Sequence, residues 1–118
     1  MGLRSYKELL VWQAGCQLAK GTYEFCALLP TDEKFGLSSQ MKRAAVSIPS
    51  NVAEGYRRNN RKEYVQFLGI ASGSAAELET QVILAQEIFH IDGNELLEKL
   101  DHIQKMLTSL KRKLDPKH

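Results

Sequence analysis

The sequence has 118 residues, of which 43% are hydrophobic, and this is enough for one domain with its own core. No apolar run is long enough to cross a bilayer, and the first residues lack the apolar core of a signal peptide, so we expect a cytoplasmic protein with no membrane partner. The net charge is only +2, but residues 36–62 carry six basic residues against one acid, and residues 77–101 carry seven acids against one lysine. Such blocks create local fields that matter for partners.

The first predicted helix covers residues 6–29 and has two apolar rows. One row comprises Leu10, Ala14, Leu18, Gly21, Phe25 and Leu28, and the other comprises Trp12, Cys16, Ala19, Tyr23 and Cys26. A helix that is apolar on two sides is buried on two sides, and in so small a chain we expect another copy to cover the side with Trp12. Cys16 and Cys26 lie about 15 Å apart along a helix, too far for a disulfide, so we expect both to be reduced.

The second predicted helix, in residues 36–58, has a polar row beside its apolar row. The apolar row comprises Leu37, Met41, Ala44, Ala45, Ile48, Val52 and Tyr56; the polar row comprises Gln40, Arg43, Ser47, Asn51, Glu54 and Arg58. The polar row predicts a hydrogen-bonded network, either between packed helices or against a partner. Pro49 removes one backbone hydrogen bond, at about 3 kcal/mol. Because both rows stay in phase across Pro49, we predict a continuous, kinked helix in which the Ser47 or Asn51 side chain bonds the freed carbonyl.

The third predicted helix follows a short basic connection. Asn60 and Glu63 form a capping-box pattern at its start. Its apolar residues alternate in steps of four and three, at Tyr64, Leu68, Ala71, Ala75, Leu78, Val82, Ala85 and Phe89. Residues 69–76 read G-I-A-S-G-S-A-A. Since a glycine inside a helix costs about 1 kcal/mol relative to alanine, we expect this patch to meet a neighbouring helix.

The fourth predicted helix follows a turn in which Asp92 acts as the cap and Glu95 as its partner. Its apolar residues keep the same heptad spacing, at Leu96, Leu100, Ile103, Leu107, Leu110 and Leu114. Lys111, Arg112 and Lys113 complement the dipole at its C-terminal end. Four helices with short connections predict an all-α fold in a single domain, residues 1–118, as an antiparallel up-and-down four-helix bundle.

The sequence shows none of the residue patterns that are typical of a catalytic site. No serine lies in a nucleophile turn with a histidine on the same helix, and Glu77 and Glu79 point away from each other on a helix. Glu87 precedes His90 by three residues, as in di-iron bundles, but those need a second copy and partner glutamates. We therefore expect no catalytic residues, no metal and no cofactor.

A basic corner at one end of the bundle favours nucleic-acid binding. We expect phosphate contacts from Lys42, Arg43, Arg57, Arg58, Arg61 and Lys62. Tyr56 and Tyr64 lie beside the corner, where their rings can stack on unpaired bases. Two alternatives stay open: Arg43 is held inside the polar row by Glu54 or Glu77, or the charged faces are simply solvated.

Three segments resemble the bacterial 23S rRNA intervening-sequence family of four-helix-bundle proteins. They are W-Q at residues 12–13, G-L-S-S-Q-M-K-R-A-A-V-S-I-P-S-N-V-A-E-G at residues 36–55, and F-L-G-I-A-S-G-S-A-A-E-L-E-T at residues 67–80. The departures are Val52, where isoleucine is common, and Ala75, where leucine is common. The chain is also similar to the accessory variability protein of diversity-generating retroelements.

The resemblance implies a cytoplasmic bacterial protein that assembles as a ring-like homopentamer and associates with RNA or DNA, or with a reverse transcriptase. The resemblance also implies that the family motif includes the positions of Gln40, Arg43, Ser47, Asn51, Glu54, Ser74, Glu77 and Glu79. Two hypotheses follow. The first is a non-catalytic, homo-oligomeric nucleic-acid-binding bundle. The second is a protein-interaction scaffold without a nucleic-acid ligand. Under either hypothesis, we expect subunit contacts or the internal polar network to involve Trp12, Gln40, Ser47, Asn51, Glu54 and Glu77.

Overall fold

Four α-helices form the fold in the computed structural model, which describes residues 5–115. They are α1 (Leu10–Cys26), α2 (Leu37–Tyr56), α3 (Arg61–Phe89) and α4 (Asn94–Leu114). Two short 3-10 turns, Tyr6–Glu8 and Thr31–Glu33, complete the secondary structure of the described residues, which contain no strand. Each helix contacts the next along the chain, and α1 also contacts α4, so the four helices surround one core as in a four-helix bundle. The predicted all-α class is confirmed.

The heptad rows of α3 and α4 supply much of this core. The fully buried residues include Leu68, Ala71, Ala75, Leu78 and Val82 of α3, and Leu100, Ile103 and Leu107 of α4. They pack with the apolar row of α2, where Met41, Ile48 and Val52 have no exposed surface. The heptad spacing therefore identified the buried faces of three helices correctly, because apolar side chains three and four residues apart share a helix face.

The first helix is shorter than predicted, and its buried face is different. It begins at Leu10, after an extended Leu9, and ends at Cys26. Leu10 and Leu28 were expected in the core but are 70% and 63% exposed. The buried face comprises Val11, Gly15, Leu18, Thr22, Phe25 and Cys26, and three of these, Leu18, Phe25 and Cys26, belong to the predicted apolar rows. The apolar pattern missed Gly15 and Thr22, whose hydroxyl donates to the Leu18 carbonyl at 2.8 Å and is therefore buried with its hydrogen bond made inside the helix.

Pro49 lies buried in a helix that continues through it, as predicted. A Cβ atom built on Gly15 of α1 would lie 3.2 Å from the Pro49 Cβ, so the proline ring packs directly against the backbone of α1. The freed carbonyl is that of Ala45, four residues earlier. The predicted repair is wrong, since the Asn51 amide donates to the Ser47 carbonyl at 2.8 Å and the Ser47 hydroxyl bonds Ser74.

The two predicted helix caps have different outcomes. The Asn60 side chain accepts the backbone N–H of Glu63 at 2.8 Å, as predicted. The cap of α4 is Gly93 rather than Asp92, whose carboxylate accepts the N–H of Asn94 at 2.9 Å. Gly93 is held in place because its N–H donates to the Gln86 side chain at 2.8 Å.

The small-residue patch of α3 faces both inwards and outwards. Ala71 and Ala75 are fully buried, as a close helix contact predicts. Gly69 and Gly73 are exposed, and a Cβ atom on either would meet no other atom within 4 Å. The expectation of a neighbouring helix is therefore wrong for Gly69 and Gly73, because both lie on the outer face of α3 and no helix of this chain, within residues 5–115, packs against them.

Candidate nucleic-acid interface

The connection between α2 and α3 is a tight basic corner of four residues, 57–60. Gly55 allows the close approach of the two helices: a Cβ atom there would lie 2.8 Å from the Phe67 Cβ and 3.2 Å from the Tyr64 carbonyl oxygen. Asn60 then starts α3 by capping it. Basic residues on both sides of this corner are consequently held at fixed positions near the ends of two long helices.

The two tyrosines at the corner pack against each other. The rings of Tyr56 and Tyr64 meet edge to face, with centroids 6.2 Å apart and an angle of 84° between the planes. Burial raises the pKa of the Tyr64 hydroxyl above its ordinary value, and the neighbouring Tyr56 adds to this effect. Both rings thus contribute to the packing of the corner, and stacking on bases stays a prediction.

The predicted cations at the corner are not equivalent. The Arg58 guanidinium lies 3.6 Å from a Glu54 carboxylate oxygen and 4.8 Å from the centre of the Phe67 ring, so it is already engaged. Arg57, Arg61 and Lys62 are exposed and form no salt bridge with any residue in 5–115. These three are the cations of the corner that are free to contact phosphates.

Lys42 and Arg43 lie elsewhere. They precede Arg57 by 15 and 14 residues on the same helix, which places them more than about 20 Å from the corner. The Lys42 ammonium group lies over the Tyr23 ring, 4.9 Å from its centre. The fold therefore places the six predicted phosphate-binding residues in two separate regions. Lys42 and Arg43 were grouped with the corner because of their charge, but most of α2 lies between them and the corner.

Part of the predicted polar row forms a network between α2 and α3. The Ser47 and Ser74 hydroxyls are 2.8 Å apart, and the Asn51 amide donates to the Ser47 hydroxyl at 2.9 Å. Beside them lies an open groove of about 470 Å³, lined by Gln40, Arg43, Ala44, Ser47, Ser74 and Glu77. Within residues 5–115, Arg43 forms a salt bridge with neither Glu54 nor Glu77, and Glu54 instead pairs with Arg58.

The aromatic side chain predicted at a subunit contact, Trp12, is partly buried within its own chain. Its ring meets the Tyr6 ring edge to face, with centroids 5.5 Å apart. The second apolar side of α1 is therefore covered in part by the 3-10 turn that precedes it. Tyr23 of the same row is half exposed, and other large exposed apolar residues include Leu10 at the start of α1 and Ile70, Ile83 and Ile88 on α3.

Sequence reasoning missed a second group of cations near the corner. Lys111, Arg112 and Lys113 form the last basic turn of α4. This turn packs beside the start of α3, since Lys111 and Arg112 line one groove together with Val65 and Gln66. We call the combined surface of Arg57, Arg61, Lys62, Lys111 and Arg112 the basic end; Lys113 faces the other way, into the groove between α4 and the start of α1. The heptad rows of α3 and α4 contained the missing signal, because the packing of these two rows brings Lys111 and Arg112 beside the start of α3.

The described residues offer little for other chemistry. No three of their His, Cys, Asp and Glu side chains are grouped so that they could hold a metal ion. Burial raises the pKa of the Cys16 and Cys26 thiols, both of which are free. Across residues 5–115, none of the helices combines the length and the apolar character that a bilayer crossing needs.

The fold and the surface together define an all-α domain of four helices with an exposed cationic end. The chain belongs to the family of 23S rRNA-intervening sequence proteins, whose family model matches residues 7–109. The family resemblance seen in the sequence is thus confirmed. No curated protein matches the chain.

A solved structure shares the fold. It is the crystal structure of a protein with unknown function from the S23 ribosomal protein family of Bacteroides thetaiotaomicron. The two chains are 23% identical and superpose with a TM-score of 0.79, over 87% of this chain and 96% of the other. At this identity the similarity concerns the fold alone.

Proposed function

We propose that this protein is a non-catalytic, cytoplasmic nucleic-acid-binding bundle that contacts the phosphates of RNA or DNA through its basic end. The observation that carries the proposal is the set of three exposed cations at the corner, Arg57, Arg61 and Lys62, which form no salt bridge with residues 5–115 and have the basic turn of α4 beside them. Phosphate contacts supply most of the affinity in non-specific binding, and arginine suits them through its planar guanidinium group.

The distribution of acidic residues also supports nucleic-acid binding at the basic end. The acidic block, residues 77–101, covers the second half of α3, the α3–α4 connection and the first half of α4. Glu87 lies about 39 Å along α3 from Arg61. A polyanion would be repelled from the connection and attracted to the basic end, which favours one orientation of binding.

Salt dependence of binding tests the proposal. We expect a fluorescently labelled structured RNA to bind with an affinity that falls with salt, with a log–log slope of about −2 to −3 for three phosphate contacts. The double variant Arg57→Glu/Arg61→Glu should lose most of the binding. Lys34→Glu is the control for a charge reversal away from the corner and is compared with the single variant Arg57→Glu, because Lys34 is exposed near the start of α2, about 30 Å from the corner. Binding that is absent, or independent of salt, would refute the proposal.

We also propose that the helices follow an antiparallel up-and-down order and that the chains assemble as a ring-like homo-oligomer, which the family resemblance implies to be a pentamer. The pairing of Tyr56 with Tyr64 and of Ser47 with Ser74 supports the order of α2 and α3. The exposed apolar residues of α3 support assembly: Ile70, Ile83, Leu84 and Ile88 are between 41% and 58% exposed. Light scattering that gives the mass of one chain would refute the assembly.

The same apolar residues favour the alternative function, a protein-interaction scaffold. In that case another protein, rather than a nucleic acid, occupies the exposed face of α3. A pull-down with and without nuclease distinguishes the two functions. Partners that survive nuclease and depend on Leu84 favour the scaffold; partners that disappear with nuclease and depend on Arg57 favour nucleic-acid binding.

A further inference from the structure

A narrow groove runs between α3 and α4 beside the basic end. It has a volume of about 400 Å³ and is lined by Val65, Gln66, Gly69, Thr108, Lys111 and Arg112. Lys62 lies on the same face of α3, four residues before Gln66 and seven before Gly69. The groove is therefore continuous with the surface to which the phosphate contacts are assigned.

The charge of the groove suits an anion. None of its six lining residues is acidic. The Lys111 ammonium group donates to the Ser72 hydroxyl at 3.1 Å, which fixes its position without neutralising its charge. Arg112 is exposed and forms no salt bridge within residues 5–115. Two positive charges are therefore available at the rim.

The wall of the groove leaves room for a flat ligand. Gly69 is exposed, and a Cβ atom on it would meet nothing within 4 Å, so the packing of the chain does not require glycine there. Without a side chain, the backbone of α3 is open to close approach. Val65 lies buried beneath the groove, and at its surface Gln66 and Thr108 offer hydrogen-bonding groups for the edge of a base.

These features fit an unpaired nucleotide better than a duplex. A groove between two packed helices admits a base that is turned out of a strand, whereas paired bases are enclosed in the duplex. A base against the wall at Gly69 would place its phosphates near Arg112 and Lys62, the two cations that flank the groove on α4 and α3.

We infer that the α3–α4 groove binds one unpaired nucleotide of a single-stranded nucleic acid, and this inference rests on the proposed function of the basic end. The corner then binds neighbouring phosphates of the same strand, and the groove gives the protein its preference for single strands over duplexes.

Two matched variants test the groove. Gly69→Gln fills it, whereas Gly73→Gln places the same side chain one turn further along α3, outside the groove and equally free of contacts. Both replace an exposed helical glycine by a better helix former, so both are expected to fold. The probes are a labelled single-stranded RNA of about 12 nucleotides and an RNA hairpin with the same number of phosphates, a length within the usual footprint of single-strand binders.

We expect the unmodified protein to prefer the single strand. Gly69→Gln should weaken single-strand binding roughly tenfold, because its side chain would occupy the space that the base takes, and Gly73→Gln should change it less than about twofold. Arg112→Gln should reduce the slope of log affinity against log salt by about 0.7, the value for one phosphate of a single strand.

Other results would overturn the inference. Equal binding of both probes, or equal effects of the two glutamine variants, would mean that the groove is not a nucleotide site. A change in oligomeric mass by light scattering for Gly69→Gln would mean that the groove is covered by another copy of the chain. In these cases, loss of binding by Arg57→Glu/Arg61→Glu would still support the proposed function. If the unmodified protein binds neither probe, the proposed function fails together with the inference.

Discussion

Gly15 of α1 and Gly55 of α2 have surroundings opposite to those of Gly69 and Gly73 of α3, although all four lie within helices. A Cβ atom on Gly15 or Gly55 would come within 3.2 Å or 2.8 Å of a neighbouring helix, whereas on Gly69 or Gly73 it would meet nothing within 4 Å. Each of the four carries the same helix-propensity cost, about 1 kcal/mol relative to alanine. At the first two positions close packing within the chain offsets that cost. At Gly69 and Gly73 no contact with residues 5–115 offsets it.

The largest expected effect is at the contact between Gly15 and Pro49. Gly15→Leu should lower the free energy of unfolding by about 3 kcal/mol, because a bulky side chain would force α1 away from the rigid ring of Pro49. Urea denaturation measures the loss. Gly73→Leu is the control and should lose nothing. Similar stabilities for the two leucine variants would contradict the difference between the two groups of glycines.

Gly55→Ala should have the next largest effect. Its methyl group would lie 2.8 Å from the Phe67 Cβ, so we expect a loss of about 1–2 kcal/mol despite the gain in helix propensity. Thermal unfolding of this variant beside Gly69→Ala gives the comparison. A raised melting temperature for Gly55→Ala would show that the α2–α3 corner is looser than the structure indicates.

The hydrogen bond between the Ser47 and Ser74 hydroxyls should contribute less to stability than the close contacts at Gly15 and Gly55. Ser74→Ala removes the partner of the Ser47 hydroxyl, which keeps its bond from Asn51, so we expect a loss of about 1 kcal/mol. A double-mutant cycle with Ser47→Ala measures the coupling directly. Strict additivity of the two single variants would mean that the bond contributes nothing to stability.

The smallest expected effect is a gain in stability rather than a loss. Gly69→Ala and Gly73→Ala should each raise the free energy of unfolding by about 0.5–1 kcal/mol, because alanine is the better helix former and its methyl group has free space. Chemical denaturation of the isolated protein measures both. A loss of stability at either position would mean that the glycine is needed for a contact with another molecule.

Much of the fold follows from patterns of apolar side chains. Heptad spacing identified the buried rows of α2, α3 and α4, and the side chain of Asn60 predicted the start of α3. The buried face of α1 was predicted only in part, at Leu18, Phe25 and Cys26. Gly15 and Thr22 were missed, because Gly15 contributes shape and Thr22 contributes a hydroxyl that bonds its own helix. Neither contribution appears in a pattern of hydrophobicity.

The candidate site was less predictable. The cations of the corner, Arg57, Arg61 and Lys62, were recognised because they are adjacent in the sequence. The basic turn of α4 is about 50 residues away along the chain and becomes their neighbour only through the packing of α4 on α3. Arg58 illustrates the converse, since its charge suggested a ligand contact but its guanidinium is held by Glu54 and Phe67.

The contact between Pro49 and Gly15 also fixes the register of α1 against α2. Slippage by one turn would bring the ring of Pro49 against a residue with a side chain, which the close spacing of the two backbones does not allow. The two helices should therefore move as one rigid body. In native-state hydrogen exchange, the amides of α1 and α2 around this contact should open together, in a single cooperative unit, rather than one helix at a time.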